Sequence, residues 1–473
     1  MEEKDLFDLI EKILNTKVET QTIECKAARK GCPENLYDTF SSFSNQDGGG
    51  TIVFGIDESN GFDVCGVYDL NDLQKQLQNK CGQMEPPTRG FFTSILYKEK
   101  PVLAMEIPGI ERLLRPCFYK SKGKYGGSFI RVGESDMPMS EFEIYQYEAY
   151  KRRIKDDIRI IDDNEIKLFD NEKHEKYLRL IKEKRDNLKN NVSDDEIDQL
   201  MGIFKDENPT LSGVMIFSKY PQTYFPQYSI IFTKIPGKSM SDLGLDGERF
   251  LADKKFTGPI DTMIDTFLDY IREKMGNKTI IDEYGKKKEK PEYPLIALRE
   301  AVLNALIHRD YSQYSEGMPV RIEMYTNRIE ITNPGQIYGS SSIEDLGKSR
   351  METRNVVLAD IAEVLEITEN RYSGIPTIRN EMRNNNLPQP VFKSQRGEFK
   401  TILYNSFQMD QDNAEESILS YCSIPRTKDE IVRFVGKSRN YVISRFISPL
   451  VNSGKLKLTI PDKPQSPFQK YYS

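Results

Sequence analysis

The feature that most constrains the fold is the stretch 297–311, ALREAVLNALIHRDY, because it reads as an apolar helix that carries a polar stripe. Glu300, Asn304 and His308 follow one another at intervals of four residues, which places them on one face of a helix. The apolar residues between them lie towards the other side and read as core contacts. The stripe either faces solvent, as on most amphipathic helices, or lines a pocket. The helical pattern alone leaves both alternatives open.

Composition limits the classes of protein that the chain can belong to. Its 473 residues are enough for about three or four domains. The net charge of −6 is small for this length, so any contact with nucleic acid must be local. No apolar run approaches the roughly 20 residues that span a bilayer, and the acidic N-terminus does not read as a signal peptide. We therefore expect a cytoplasmic protein that does not bind membranes.

Zinc is not expected, because the six cysteines are scattered, form no Cys-x-x-Cys pair and have only His174 and His308 as possible further ligands.

Periodicity divides the chain into an α/β domain, a charged helical connector, a second α/β unit and a small C-terminal unit. Their bounds are 1–150, 151–208, 209–405 and 410–473. Within the second α/β unit, LSGVMIF (211–217) reads as a buried strand and VRIEMYTNRIEIT (320–332) as a hairpin.

The striped helix and the residues after it resemble the nucleotide-binding fold shared by gyrases and histidine kinases. The matching pieces are the helix itself, a hairpin ending in TNPG (332–335), RNVVLADIA (354–362) and NRYSGIPTIRNEM (370–382). The similarity is to a divergent branch found in bacterial proteins classed as transcriptional regulators, and it covers roughly 291–405. It implies an ATP-binding α/β sandwich within a multidomain protein of mixed α/β class.

The resemblance also implies roles for individual residues. Asn304 would bind Mg²⁺ through its carbonyl oxygen, and Glu300 would orient or deprotonate a water near the γ-phosphate. The remaining positions that we assign to the nucleotide pocket are His308, Arg309, Asn333, Gly335, Arg354, Asn355 and Gly374.

The chain departs from the family pattern in two places. Asn333-Pro334-Gly335 stands where the family usually has Asp followed by Gly-x-Gly, and RYSGI carries one glycine where two are common. Both changes weaken the glycine-rich cradle for phosphate. An ATPase, a protein that binds ATP without turnover and a relic that binds nothing all remain open.

A second group of polar residues lies near the N-terminus. Glu19 and Glu24 flank a short β-like segment, Lys26 follows it, and Asp57 ends a strand after the glycine turn. If the two strands are neighbours, these side chains converge at one end of a sheet. Acids held close together can bind Mg²⁺ or Mn²⁺ and activate a water for phosphodiester cleavage, with a lysine near the scissile phosphate. Acids at strand ends are also often simply solvated, and the spacing does not separate the two interpretations.

Residues 15–145 resemble the Schlafen core domain, also called AlbA-type, through ECK, FSNQDGGGTIVFGIDE, CGVYD, MEPP and FIRVGESDMPMS. In Schlafen RNases that cut tRNA and rRNA, three acids occupy the positions matched here by Glu19, Glu24 and Asp57. The resemblance therefore implies a metal-dependent endoribonuclease with these three acids as metal ligands. Many bacterial members are described only as DNA-binding modules, so that alternative stays open.

The best local candidate for a nucleic-acid surface is the stretch 112–131, which has six Lys or Arg residues, no Asp or Glu and interleaved aromatic residues. Cations contact phosphates, and aromatic faces stack unpaired bases. An ordinary solvated hairpin is the alternative. The predicted contacts are Arg112, Arg115, Tyr119, Lys120, Lys122, Lys124, Tyr125 and Arg131.

The C-terminal unit reads as a winged helix, with TKDEIVRFV and SRNYVISRFISPLVNSG as a helix pair and KLKLTIPDKPQSPFQKYY as the wing. From residue 414 on, ten basic residues face five acids, a local net charge of +5. In a helix-turn-helix the second helix would enter the major groove, led by Ser438, Arg439 and Asn440. The same fold also serves protein docking, and we leave both functions open.

Together these patterns predict a homo-oligomer that acts on nucleic acid under nucleotide control. Our leading hypothesis is a metal-dependent endoribonuclease against tRNA-like substrates, in a defence setting. One alternative is a non-catalytic, ATP-responsive transcriptional regulator that binds DNA. Another is an ATPase whose N-terminal module only recruits targets.

Overall fold

The computed structural model describes residues 1–163, 165–189, 192–281, 287–340, 342–349, 351–368, 374–407, 414–464, 466 and 468–473. These residues fall into two compact units. Unit 1 consists of Met1–Ile154 with Tyr338–Ser342, and unit 2 consists of Lys155–Ile337 with Ile343–Ser473. Both mix helices and strands, which confirms the predicted multidomain α/β class. In the part of the chain that the structure describes, no helix is long and apolar enough to cross a membrane.

Unit 1 is built around a four-stranded sheet. Its described helices are α1 (Glu3–Thr16), α2 (Tyr37–Ser44), α3 (Leu70–Cys81), α4 (Gly123–Gly127) and α5 (Glu141–Arg152). Its described strands are β1 (Ile23–Lys26), β2 (Gly50–Phe54), β3 (Ile56–Asp57), β4 (Asp63–Val64), β5 (Met84–Glu85), β6 (Phe91–Tyr97), β7 (Lys100–Ile107), β8 (Phe118–Tyr119), β9 (Phe129–Val132) and β10 (Ser135–Pro138).

The sheet has the order β1-β2-β7-β6, and its central strands β2 and β7 are covered by a hydrophobic core on each face. Alternate residues of β2 point to opposite sides, so Val53 joins a core with Leu6 and Ile10 of α1, while Ile52 joins a second core with Phe40 of α2. Strands β1 and β2 are parallel, and the other neighbours are antiparallel. β1, which carries Glu24 and Lys26, forms one edge of this sheet.

Unit 2 contains a larger, six-stranded sheet. Its described helices are α6 (Asn171–Lys184), α7 (Asp186–Lys189), α8 (Asp194–Leu200), α9 (Leu211–Phe217), α10 (Ile260–Lys274), α11 (Leu295–Ile307), α12 (Val356–Val364), α13 (Gly374–Asn384), α14 (Ala414–Tyr421), α15 (Lys428–Val435), α16 (Arg439–Val442) and α17 (Ser448–Asn452). Its described strands are β11 (Phe204–Lys205), β12 (Asn208–Pro209), β13 (Ile230–Lys234), β14 (Ala252–Phe256), β15 (Asn277–Ile281), β16 (Lys287–Pro291), β17 (Val320–Met324), β18 (Arg328–Pro334), β19 (Val391–Gln395), β20 (Glu398–Tyr404), β21 (Arg426–Thr427), β22 (Lys457–Leu458) and β23 (Lys470–Tyr472).

The six-stranded sheet has the order β14-β13-β17-β18-β20-β19, and α11 packs against β18 with α10 and α13 beside it. The hairpin predicted in 320–332 is confirmed by the antiparallel pairing of β17 with β18. The strand predicted for LSGVMIF is wrong, because these residues form α9, whose first turn is capped by the Thr210 hydroxyl. All seven residues of α9 are buried, and a segment buried on every side has no periodicity that distinguishes helix from strand.

The C-terminal part of unit 2 has its own small core, which includes Ile418, Ile431, Val442 and Leu450. Helices α14 to α17 pack around it, and β21, β23 and β22 form a three-stranded sheet in that order. The helix pair and the paired strands expected from the sequence are therefore present. Their identity as a winged helix stays a prediction.

Candidate functional sites

The first candidate site is a pair of buried glutamates at β1. Glu19 and Glu24 are each 6% exposed. The backbone N–H of Cys25 donates to Glu19 Oε1 at 2.7 Å, which fixes the Glu19 carboxyl against the strand. Burial raises the pKa of Glu19 to about 7, the neighbouring Glu24 adds to this effect, and the hydrogen bond from Cys25 opposes it. Near neutral pH, Glu19 is therefore poised between its protonated and ionised forms.

Two cations hold Glu24 in its ionised form. Arg131 Nη2 donates to Glu24 Oε2 at 2.6 Å, and Lys26 Nζ donates to Glu24 Oε1. Burial alone would raise the pKa of Glu24, but Lys26 and Arg131 together lower it. Arg131 Nη2 lies farther from Glu19 Oε2, at 3.6 Å. The two glutamates thus share a site but differ in how completely their charge is balanced.

Arg131 is itself held by a third carboxylate. It lies in β9 directly opposite Asp136 of β10, and its Nη1 is 3.1 Å from Asp136 Oδ1. Asp136 also accepts hydrogen bonds from the hydroxyls of Thr39 and Ser42 in α2, at 2.7 and 2.5 Å. The Arg131 side chain is only 1% exposed. This differs from its predicted role as a nucleic-acid contact, because the buried guanidinium is already engaged by carboxylates and positions Glu24.

Asp57 does not join the glutamate pair in the predicted way. It ends β3 opposite Asp63, and its Oδ1 accepts a hydrogen bond from the Ser59 hydroxyl at 2.6 Å. The charge of the next residue, Glu58, acts on Glu19 and raises its pKa further. Among the described residues, no group of three His, Cys, Asp or Glu side chains is placed to hold a metal ion. The structure therefore brings together two glutamates and Lys26 rather than three acids and Lys26.

The second candidate site is the polar face of α11. Glu300 is buried, Asn304 is half-buried and His308, at the end of the helix, is exposed. Gly374, the first residue of α13, lies directly against the first two. A Cβ atom on Gly374 would lie 2.8 Å from Asn304 Nδ2 and 3.1 Å from Glu300 Oε2, so a larger residue would displace at least the Asn304 side chain. Glu300 and Asn304 therefore face the start of α13 rather than open solvent.

Asn304 is under-satisfied within the described structure. Its Nδ2 is buried and has no hydrogen-bond partner there. A buried amide in this state costs free energy that a ligand oxygen could recover.

The other predicted nucleotide contacts belong to a buried network centred on Asp310. Arg354 Nη1 donates to Asp310 Oδ2 at 2.6 Å, and the Asp310 N–H donates to the Pro334 carbonyl at 2.7 Å. Gly335 has a φ of 102°, and a Cβ there would lie 2.8 Å from the Asp310 nitrogen. Asn333 is buried and donates to the Pro334 carbonyl at 3.1 Å. The network fixes the turn after β18 against the loop after α11.

Arg309 and Asn355 also serve this packing. Arg309 is fully buried, donates to the Met318 carbonyl at 2.9 Å and lies 4.3 Å from the centroid of the Tyr228 ring. Asn355 Nδ2 donates to the carbonyls of Ile307 and Arg309, both at 2.8 Å. Arg309, Arg354 and Asn355 were predicted as phosphate contacts, whereas the structure engages them with protein groups. Asp310, which connects these residues, was not predicted as a site residue. The sequence marked it only as part of the RDY that follows the helix.

Acidic partners occupy most cations of the stretch 112–131. The ion pairs are Arg112 and Arg115 with Asp47, Lys120 with Glu85, Lys122 with Asp38 and Lys124 with Glu148. Tyr119 stacks on Tyr37 with 3.8 Å between ring centroids. Lys120 and Lys122 remain half-exposed and Tyr125 is exposed, whereas Arg115 is buried. In the C-terminal part, the exposed Arg439 pairs with Asp429 at 2.6 Å.

Two family models match the chain. Residues 19–140 match the model described as "Schlafen, AlbA_2", and residues 317–403 match the model described as "Putative ATP-dependent DNA helicase recG C-terminal". The first match contains the Glu19–Glu24 site with Arg131. The second contains Asn333, Gly335 and Gly374 but begins after α11, so Glu300, Asn304 and His308 lie outside it. No curated protein matches the chain.

Solved structures give two further similarities. The DIP2311 protein from Corynebacterium diphtheriae is 17% identical, with 93% of this chain and 92% of that chain covered and a TM-score of 0.42. The N-terminal domain of a "Putative ATP-dependent DNA Helicase RecG-related Protein" from Nitrosomonas europaea is 24% identical, with 28% of this chain and 90% of that chain covered and a TM-score of 0.23. The family matches confirm a Schlafen AlbA-type domain and a RecG-type ATPase domain, which together indicate a nucleic-acid-related, ATP-associated protein.

Replacing each glutamate of the pair should shift stability in opposite directions. The pKa of Glu19 is about 7 in the folded protein against an ordinary value of 4.5, so the protonated carboxyl stabilises the fold. This stabilisation is complete below pH 4.5 and is lost as the pH rises through 7. Glu19→Gln, which stays neutral, should therefore raise the unfolding temperature by about 2–5 °C at pH 8 and by much less at pH 5. Glu24→Gln should lower it, because Arg131 and Lys26 lose their carboxylate. Calorimetry of the full chain measures both, and equal shifts at pH 8 would contradict the assignment.

The Asp310 network predicts a large cost for Asp310→Ala. The variant leaves the buried Arg354 guanidinium without the carboxylate that it contacts at 2.6 Å, and the expected loss is about 3 kcal/mol in the free energy of unfolding. Arg439→Ala breaks an exposed pair and is the matched control, with an expected loss below about 1 kcal/mol. Urea unfolding of the full chain measures both variants, and equal losses would show that Asp310 does not organise this region.

Proposed function

We propose that the protein is a nucleotide-controlled endoribonuclease. The Schlafen-type domain would cleave tRNA-like RNA at the Glu19–Glu24 site with Mg²⁺ or Mn²⁺. The ATPase-type domain would bind ATP with Mg²⁺ and set the state of the assembly. The observation that carries the proposal is the buried pair Glu19 and Glu24, placed beside Arg131 and Lys26 within a Schlafen-type domain.

The donor chemistry of the pair suits a divalent cation. Mg²⁺ keeps several waters in proteins and is commonly held by one or two carboxylates together with substrate phosphates. Glu19 and Glu24 would supply these carboxylates. Glu19 is the less compensated of the two, because Arg131 lies 3.6 Å from its oxygen but 2.6 Å from that of Glu24. When bound, the ion would lower the pKa of a water and neutralise charge on the phosphate.

The protein residues around the pair would orient the substrate. Lys26 is the most accessible cation of the site, with 29% of its side chain exposed, and it would contact the scissile phosphate. Arg131, held by Asp136, would keep Glu24 ionised and in place. Glu19 must lose its proton before it can bind a cation, so a proton and the metal compete for the same carboxyl.

The nucleotide part of the proposal is supported by Asn304 and Gly374. Asn304 would hold the nucleotide's Mg²⁺ through its carbonyl oxygen, and Glu300 would orient a water. The unpartnered Asn304 Nδ2 and the side-chain-free approach of Gly374 fit a site that accepts phosphate oxygens. The Asp310 network would support this site by fixing the loops next to it, without touching the nucleotide.

Cleavage of RNA should depend on both glutamates. With total tRNA and Mn²⁺, we expect cleavage by the wild-type chain and a loss of at least about 100-fold in Glu19→Gln and Glu24→Gln. Glu19→Gln is the more informative variant, since it should be more stable than wild type at pH 8, so lost activity cannot be attributed to unfolding. Asp63→Asn, an exposed acid of the same domain, is the matched control. RNA cleavage by Glu19→Gln at the wild-type rate would contradict the proposal.

The pH profile checks the same site. Because the pKa of Glu19 is about 7, cleavage at limiting metal should rise by about tenfold per pH unit below 7 and level off above it. More metal should move the rise to lower pH, since the ion displaces the proton. Comparing Glu58→Gln with Asp57→Asn then identifies which acid assists the pair, and the structure favours Glu58.

Nucleotide binding should depend on the polar face of α11. Asn304→Ala should weaken binding of Mg-ATP by at least about tenfold, and Gly374→Ala should do the same, because its Cβ would meet Asn304. Glu300→Gln should keep binding but release less phosphate. Asn380→Ala, at an exposed position of α13, is the matched control. Titration calorimetry measures the affinities, and equal values for Asn304→Ala and Asn380→Ala would rule out this site.

A further inference from the structure

Strand β6 forms an open edge of the sheet in unit 1. Its seven residues, FFTSILY, include no charge, proline or glycine. β7 occupies one side of β6, and within the described residues no backbone hydrogen bond joins its outer side to another segment. A long, uncharged edge strand presents a row of unpaired N–H and C=O groups, and soluble proteins usually protect such an edge or use it for pairing.

The other edges of the two main sheets are protected by charge. β1, at the opposite edge of the same sheet, is only four residues long and carries Glu24 and Lys26. β14, at one edge of the six-stranded sheet, carries Lys254 and Lys255 side by side, and β19, at the other edge, carries Lys393. Lysine on an edge strand is a common device against pairing. β6 lacks this protection.

Apolar side chains extend the edge on both faces of the sheet. Phe91 is 60% exposed and Leu96 is 74% exposed, at opposite ends of β6. Phe7 of α1 is 47% exposed, and its ring centroid lies 5.5 Å from that of Tyr97. The exposed apolar surface therefore lies along the open edge and continues onto α1 at the Tyr97 end.

We propose that β6 pairs antiparallel with β6 of a second copy of the chain, about a two-fold axis at Ser94. This register places Phe91 opposite Tyr97, Phe92 opposite Leu96, Thr93 opposite Ile95 and Ser94 opposite itself. Each pair is uncharged, and the aromatic and β-branched pairs are of the stabilising kind. Any shift of register leaves residues unpaired at both ends.

The two-fold arrangement also covers the apolar surface beside the strand. Phe91 of one copy would meet Tyr97 of the other and the Phe7 ring that lies against it. The two-fold axis repeats this contact, so the exposed aromatic residues of both copies would be covered. Such self-complementary contacts are characteristic of isologous dimers. The same strand is thus its own best partner, which favours a second copy over an unrelated β-strand.

The dimer would leave the proposed catalytic site accessible. β1, which carries Glu24, and β6 are opposite edges of the sheet, so pairing through β6 gives one eight-stranded sheet with a Glu19–Glu24 site at each outer edge. The inference does not rest on the proposed nuclease activity or on nucleotide binding. It predicts a dimer that forms without ATP.

Sedimentation of the full chain without nucleotide tests the interface. We expect the wild type to be a dimer at micromolar concentration. Phe91→Lys combined with Leu96→Lys should raise the dimer dissociation constant at least about tenfold, because charge is placed on the edge of each copy. Leu245→Lys, at a fully exposed leucine of unit 2, is the matched control and should sediment like wild type. Circular dichroism confirms that the double variant is folded.

A cysteine at the axis tests the register. Ser94→Cys should form a disulfide between copies, because the two positions face each other within reach of the bond. Lys98→Cys is the control, since the proposed register separates its two copies by about 26 Å along the strands. A monomeric wild type, a dimer that both β6 lysines leave intact, or no cross-link above the wild-type background would each overturn the proposal. RNA cleavage by the monomeric double variant would show that the proposed nuclease site works without the dimer, so the nuclease proposal and the dimer proposal can fail separately.

Discussion

Unit 1 depends on how the charge of Glu24 is balanced inside the protein. The carboxylate is almost fully buried, and burial alone would push its pKa up, yet Arg131 and Lys26 keep it ionised. Asp136, on the facing strand, holds the other side of the Arg131 guanidinium. The hydroxyls of Thr39 and Ser42 in α2 donate hydrogen bonds to the carboxylate of Asp136. These ion pairs and hydrogen bonds therefore connect β1, the β9–β10 hairpin and α2 in one place.

Unit 2 uses the same device for a different purpose. Asp310 and Arg354 are both buried, and their pairing joins the loop after α11 to the segment before α12. Buried ion pairs contribute little net stability compared with apolar packing, but removing one partner is costly. They consequently fix geometry more than they add stability. Arg131 in unit 1 and Arg354 in unit 2 were predicted to contact nucleic acid or phosphate, and in the structure each pairs with a buried carboxylate.

The sequence predicted what depends on local pattern. The α11 helix and the β17–β18 hairpin are confirmed because their periods of 3.6 and 2 follow directly from helix and strand geometry. α9 was missed because it is buried on all sides. The ion pairs of Arg131 were not predicted, because its partners Glu24 and Asp136 lie 107 and five residues away and only the fold brings them together. The sequence could not show whether Asp57 or Glu58 acts on the glutamate pair, because the chain leaves β3 at Asp57 and enters a helical turn at Glu58.

The close approach of Gly374 to α11 has a mechanical consequence. The main chain of Gly374 lies beside Asn304, so a molecule that binds this amide would also contact the first turn of α13. Ile378 and Met382 are fully enclosed by the core and hold the middle and the far part of the helix. With two of its turns held in this way, the helix would yield at its first turn and would not slide or tilt as a whole.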